Sequence, residues 1–266
     1  MSRTVLSGIV TLALLAGCSD SPPVPDSLEP PTFGIAESEK VSGSTFLTAD
    51  SRALQDDDFA NPGLLWVDRG EALFGADHEN APSCSSCHTE GMSGVAARYP
   101  AYDEGTDQLL NLEGRINQCR TDHQGLQPLT YESDDLLALT AYIASQSRGM
   151  LLNVELDPAA LDHFENGENY FMTKRGQFNF SCQQCHDETW GKRIRGDTIS
   201  QGHGNGFPAY RFEWEGFGSL HRRLHDCDTG VRAEPFPLGS ETYVDLEYYL
   251  AIRASGLPIE SPGIRR

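Results

Sequence analysis

A mainly α-helical chain, built as two tandem copies of one domain, is what the sequence predicts, and three observations predict it. First, Cys84-Ser85-Ser86-Cys87-His88 returns 98 positions later as Cys182-Gln183-Gln184-Cys185-His186. Second, Gly70-Glu71-Ala72-Leu73-Phe74 upstream of the first pattern returns as Gly167-Glu168-Asn169-Tyr170-Phe171, 97 positions on. Third, Leu139-Thr140-Ala141-Tyr142-Ile143-Ala144 downstream is matched by Leu246-Glu247-Tyr248-Tyr249-Leu250-Ala251 at offset 107, and Cys119 by Cys227 at offset 108. Four features keep their order at nearly constant spacing, which points to internal duplication with a split near Asn153 to Ala159.

Each copy reads as helical. Leu64 to Phe74 carries apolar residues at helical spacing. Asp134-Asp135 start a second helix, since acids are favoured near a helix N-terminus, and Leu136 to Ser147 continue it. Glu241 to Ala254 is its counterpart, stopped by Gly256 and Pro258. Gly-, Asp- and Asn-rich loops lie between. The recurring Gly70 and Gly167 either allow a close helix crossing or simply break the helix.

The front of the chain reads as an address. Arg3 precedes an apolar core from Val5 to Ala16, the pattern of a secretory signal over residues 1–18. Its end, Leu15-Ala16-Gly17-Cys18, resembles a bacterial lipobox, in which Cys18 would carry lipid; an ordinary signal peptide cut nearby is the alternative. Ser19 to Pro31 holds five prolines and cannot build a core. Residues 19–44 are therefore assigned to a Pro-rich tether. Two domains follow, over 45–153 and 154–266. No apolar run reaches 18 residues, so no transmembrane helix is expected in the mature protein. The 266 residues carry a formal charge of −19, which argues against a nucleic-acid partner. The expected location is the periplasm, with or without a lipid anchor.

The chemistry sits in the pentapeptides. In C-x-x-C-H two thiols are spaced to add to both vinyl groups of a haem, and the adjacent imidazole then falls on one face of the iron. One such motif also fits a zinc half-site or a redox pair, but no second Cys or His pair stands at zinc-ligand spacing. Two copies behind an export signal predict two covalently attached haems c. Cys84, Cys87, Cys182 and Cys185 would form the thioethers, and His88 and His186 would bind iron. A helix before the motif and another at the end of the copy is the plan of a cytochrome c domain. For the other iron face, none of Met92, Met150 and Met172 recurs between the copies, whereas Cys119 and Cys227 do. A disulfide, inert thiols and iron thiolates all remain open to that pair. Repeat symmetry favours ligation, which would lower the reduction potentials. Around Cys227 the charge changes sign: residues 192–232 hold seven Lys and Arg against five acids. Such cations favour a thiolate and hold a small anion nearby.

Several motifs in order carry a family resemblance: Gly114-Arg115-Ile116-Asn117-Gln118-Cys119, Ser147-Arg148-Gly149, Phe207-Pro208-Ala209-Tyr210-Arg211, Ser219-Leu220-His221-Arg222-Arg223, Thr229-Gly230-Val231-Arg232-Ala233-Glu234-Pro235 and Gly256-Leu257-Pro258-Ile259-Glu260. With them, residues 60–266 resemble the SoxA family, and both CxxCH motifs match its two-haem branch. The resemblance implies a catalytic dihaem cytochrome of bacterial thiosulfate oxidation, an L-cysteine S-thiosulfotransferase. Such a subunit pairs with a SoxX-type monohaem cytochrome c and couples thiosulfate to a cysteine of the SoxYZ carrier, releasing two electrons. It further implies Cys119 as the distal ligand of the first haem. Cys227 would be the distal ligand of the second and the catalytic sulfur, carrying a persulfide; Arg223, helped by Arg222, would bind substrate. The lipobox departs from the cleaved export signals associated with that family. Two rival classes are a pure dihaem electron carrier and a cytochrome c peroxidase-like enzyme, the latter needing one iron face open.

Overall fold

In the computed structural model, which describes Leu28 and residues 30–79 and 81–266, side-chain caps mark where helices begin. The helices are α1 (Ala49–Asp56), α2 (Leu64–Gly75), α3 (Cys84–Cys87), α4 (Leu112–Asp122), α5 (Asp134–Ser145), α6 (Leu161–Met172), α7 (Cys182–His186), α8 (Leu220–Gly230) and α9 (Glu241–Arg253). Thr48, Asn111, Ser133 and Ser219 accept hydrogen bonds from backbone N–H groups in the first turns of α1, α4, α5 and α8. Ser181 and Gln184 form a reciprocal capping box on α7. Helix takes up 43% of the structure against 11% strand, so the chain is mainly α.

Two helix crossings organise the molecule, α2 with α5 and α6 with α9. Glycine makes each one possible. A Cβ on Gly70 would fall on the Ala138 carbonyl oxygen of α5, and a Cβ on Gly167 on the Asp245 carbonyl oxygen of α9. Around the first crossing Phe74, Met92, Leu112, Ile116, Leu136, Leu139 and Ile143 form one buried cluster. Around the second the core is more aromatic, with Phe164, Tyr170, Phe171, Tyr243, Tyr248 and Tyr249.

Short strands close the loops. β1 (Ala101–Asp103) pairs with β2 (Gln108–Leu110), and β3 (Arg193–Ile194) with β4 (Asp197–Thr198), both antiparallel. β5 (Ala209–Arg211) lies between antiparallel β6 (Gly216–Gly218) and parallel β7 (Gly263–Arg265). α1 packs on β7: Gln55 Oε1 accepts from the Ile264 N–H at 3.0 Å. The segment 45–62, assigned by sequence to the first domain, thus leans on the C-terminal strand.

The predicted signal segment 1–18, Cys18 included, lies outside the described residues, as does most of the tether before Pro30. From Phe33 onward the expectation of a free tether is corrected. Phe33 meets Tyr249 edge-on, Ile35 is buried, the Lys40 ammonium donates to the Ser255 carbonyl at 2.9 Å, and the Val41 N–H donates to Gln201 at 2.8 Å. Proline density describes the segment only to Pro31; the apolar residues after it have partners in the second half. No helix of the described residues is long and apolar enough to cross a membrane.

Candidate active site

The first CxxCH occupies α3 and its end, where a single helical turn stacks Cys84 over Cys87 and sets His88 as the C-cap. Phe74 of α2 faces the His88 ring at 6.1 Å between centroids. α4 brings Cys119 to this place: its charge acts on Cys84, and that of Cys87 acts on it. Burial pushes the thiols of Cys84 and Cys119 above their ordinary values.

The second CxxCH forms α7 in the same way, and α8 brings Cys227 against it. Burial, then the charge of Cys227, then that of Asp228 push the Cys182 thiol up to about 12; Cys185 is also raised, by burial and by Cys227. His186 is held by its Nδ1–H, which donates to the Ser200 carbonyl at 2.8 Å, and its Nε2 has no hydrogen-bond partner among the described residues. Burial holds this imidazole neutral, down to about 4. Gly202, with φ +76°, lets the loop close over it: a Cβ there would sit 2.8 Å from the His186 Cγ. Cys119 and Cys227 thus stand at different CxxCH turns. The six described cysteines are all free, which sets aside a disulfide between them.

The two candidate substrate arginines differ sharply. Arg222 is engaged: its guanidinium lies 4.3 Å from the Trp214 ring centroid and 3.6 Å from the Glu132 carboxylate. Arg223, next on α8, has no carboxylate within ion-pair distance among the described residues. Its charge is instead reinforced chiefly by Cys227, which raises the guanidinium above its ordinary value despite burial. The same cation also acts on His186. Arg223 therefore acts electrostatically on both imidazole and sulfur, and its guanidinium makes no side-chain hydrogen bond among the described residues.

Sequence reasoning missed two buried ionic groups here. Asp228, directly after Cys227, accepts from the Tyr170 hydroxyl at 2.6 Å, the Tyr243 hydroxyl at 2.8 Å and the Arg175 Nε at 3.3 Å. Arg253 pairs with Asp187 and donates to the Gln201 carbonyl at 2.6 Å and the His186 carbonyl at 3.4 Å. Comparing the halves position by position could have exposed the first, because Asp228 stands where the other half has Arg120. The second carries no local signal.

The SoxA/TsdA cytochrome c domain model matches residues 69–152. The L-cysteine S-thiosulfotransferase subunit SoxA of Pseudaminobacter salicylatoxidans is 39% identical over 233 residues, 86% of this chain and 82% of that one. The subunit of the same name from Paracoccus pantotrophus is 36% identical over 270 residues, 94% and 93% of the two chains. The chain belongs to the SoxA family. A chain in the crystal structure of SoxXA from P. pantotrophus superposes on it with a TM-score of 0.81 at 38% identity, over 85% of this chain and 86% of that one.

The cytochrome c domain of SoxA implies haem c, and the residues fit it. Each CxxCH offers two unbonded thiols one turn apart and an imidazole. Beside the second motif, Asp187 Oδ2, Arg253 Nε and the Tyr249 hydroxyl are buried without hydrogen-bond partners among the described residues; Gln124 Oε1 is in the same position beside Cys84. Met150 and Met172 are exposed, and Met92 lies in the core cluster of the first half.

Proposed function

We propose that this SoxA chain is the catalytic subunit of an L-cysteine S-thiosulfotransferase, coupling thiosulfate oxidatively to a cysteine of a SoxYZ-type carrier. The observation that carries it is the uncommitted Arg223 guanidinium beside Cys227, a cation and a sulfur on adjacent turns of α8. Two c-type haems, held by Cys84, Cys87 and His88 and by Cys182, Cys185 and His186, would supply one-electron redox centres. Cys119 and Cys227 are the residues available to the opposite iron faces.

Arg223 attracts the thiosulfate dianion and orients its sulfane sulfur toward Cys227. Arg222, paired with Glu132 and stacked on Trp214, holds the wall of the site rather than the substrate. Cys227, carrying an added sulfur as a persulfide, forms an S–S bond with the sulfane sulfur, and two electrons leave to a cytochrome c partner. The carrier's cysteine thiolate then attacks that thiosulfate-derived sulfur. The bond to the persulfide breaks, the persulfide departs as the anion, and the carrier keeps the thiosulfonate.

The wider assignments belong to the same reading. The partner is a SoxX-type cytochrome, in keeping with the likeness of this chain to one in the SoxXA structure from P. pantotrophus. Domains 45–153 and 154–266 arise by duplication, supported by the two glycine crossings, and the second is catalytic. The protein works in the periplasm, with Cys18 as a candidate lipid anchor. The deciding experiment is thiosulfate-dependent reduction of an acceptor cytochrome with partner and carrier present. The wild type turns over, and Cys227→Met abolishes turnover while the mass of the chain still shows two haems. Full activity in that variant would remove Cys227 from the chemistry.

A further inference from the structure

Asp228 is buried, and a buried carboxylate is costly unless its oxygens are satisfied. Here three elements satisfy it. Tyr170 comes from α6, Tyr243 from α9, and Arg175 from the turn leading into α7. Arg175 is fixed in turn, 4.4 Å from the Tyr170 ring centroid and 5.0 Å from that of Phe236.

The other half shows that a unit of this plan folds without any of this. At the offsets that align the halves, the counterparts of Tyr170, Tyr243 and Asp228 are Leu73, Leu136 and Arg120. Leu136 is 1% exposed in the first apolar core, and Leu73 packs against the same cluster. Leucine fills the place at no electrostatic cost. The charged network is therefore peculiar to the half that holds the free Arg223. It adjoins the cysteines there: the charge of Asp228 is felt at Cys182, and its peptide is joined to that of Cys227.

We propose that Asp228 is a positioning residue for the Cys227 site, a buried carboxylate fixed by Tyr170, Tyr243 and Arg175, whose negative charge makes the second haem harder to reduce. A centre so biased passes on the electrons released during S–S bond formation rather than keeping them. The inference rests on the reading that Cys182, Cys185 and His186 hold a haem.

Spectroelectrochemical titration of the haem-loaded protein tests it. Asp228→Asn keeps the size and one acceptor oxygen and removes the charge. It should raise the midpoint of the second haem by about 59 mV, a tenfold change in the reduced-to-oxidised ratio, and leave the first unmoved. Tyr243→Phe keeps the charge but strips one hydrogen bond from it, so the second midpoint should fall; this variant carries the test if the Asn form does not accumulate. An unmoved second midpoint in either variant, shifts of the same sign in both, or equal shifts at both haems would overturn the inference. Lost thiosulfate turnover with unmoved midpoints overturns it while leaving the proposed function standing. Opposite, selective shifts in a chain that never couples thiosulfate support it and sink the function instead.

Discussion

Arg223 and Cys227 stand four residues apart on α8, on one face of the helix, and Cys227 is the largest influence on the charge of that guanidinium. Arg222, its neighbour in sequence, is spent on Glu132 and Trp214. Arg223→Met should therefore raise KM for thiosulfate by about tenfold to a hundredfold, the loss of one or two charge-assisted hydrogen bonds. Arg223→Lys should recover part of this, since a lysine keeps the charge and loses the fork. Arg222→Met should leave KM nearly unchanged and cost at most about 1 kcal/mol of stability, as expected of a half-exposed ion pair. Steady-state kinetics and urea titration of the three variants separate the roles; equal KM effects at both positions would contradict the assignment.

Gly70→Ala and Gly167→Ala set local propensity against packing. In an open helix either change would stabilise by up to about 1 kcal/mol. Here each new methyl lands on a carbonyl oxygen of the partner helix, Ala138 or Asp245, and backbone cannot step aside. Both variants should be destabilised, by about 1–3 kcal/mol in urea titration. Gly75→Ala is the control: nothing lies within 4 Å of its Cβ, so it should be neutral or slightly stabilising.

Those two glycines also mark how far the sequence was legible. α2, α5 and α9 were readable because long apolar runs announce them, and the mainly α class followed. α4 and α8 were not, although they carry Cys119 and Cys227. They are polar on most faces; Leu112 and Ile116 of α4 and Leu224 of α8 meet the apolar clusters, and His221 of α8 is buried. Their starts were written in Asn111 and Ser219, whose capping role is invisible until the turn that follows them is known to be helical. In the site, repetition exposed the cysteines. The buried ions Asp228, Asp187 and Arg253 stayed hidden, because a charged residue reads as surface until its partner, 53 or 66 positions away, is seen to meet it.

Between the two halves a cavity of about 80 Å³ is lined by Glu113 of α4, Glu247 of α9, Thr140, Leu220 and the buried Asn205, whose Oδ1 has no partner among the described residues. Burial and the facing Glu247 raise the Glu113 carboxyl to about 7, against the opposing pull of His221. His221 is itself engaged, its Nε2 2.9 Å from Glu247 and its Nδ1 accepting from the Gly239 N–H. Glu132 adds a smaller upward push. A carboxyl raised on folding binds more protons in the native chain than in the unfolded one, so stability falls as pH rises. The contribution is complete below about 4.5, the unfolded value, and is lost as pH climbs through about 7. Glu113→Gln keeps the neutral shape and removes the proton equilibrium. Its unfolding free energy should exceed that of the wild type by up to about 3 kcal/mol at pH 8 and converge with it near pH 4.5. Denaturant titrations at the two pH values check this; a difference independent of pH would assign Glu113 a packing role only.

Arg253 is the largest fully buried side chain, and its charge serves the second CxxCH rather than the core around it. It pairs with Asp187, next to His186 in sequence, and donates to the backbone carbonyls of His186 and Gln201, while its guanidinium lies 5.2 Å from the Phe171 ring centroid. One cation thus ties α7 to α9 and to the loop whose Ser200 carbonyl orients the imidazole. Arg253→Met keeps much of the volume and leaves Asp187 buried without its cation, a change that costs about 3–5 kcal/mol when one partner of a buried pair is removed. Arg253→Met with Asp187→Asn should restore much of that stability, since no unpaired charge remains. The double variant still lacks the donors to the His186 and Gln201 carbonyls, so His186 should stay less well oriented. Thermal unfolding should then recover in the double variant while the visible and EPR spectra of a haem held by the second CxxCH remain altered. Full recovery of both would mean that Arg253 acts on stability alone.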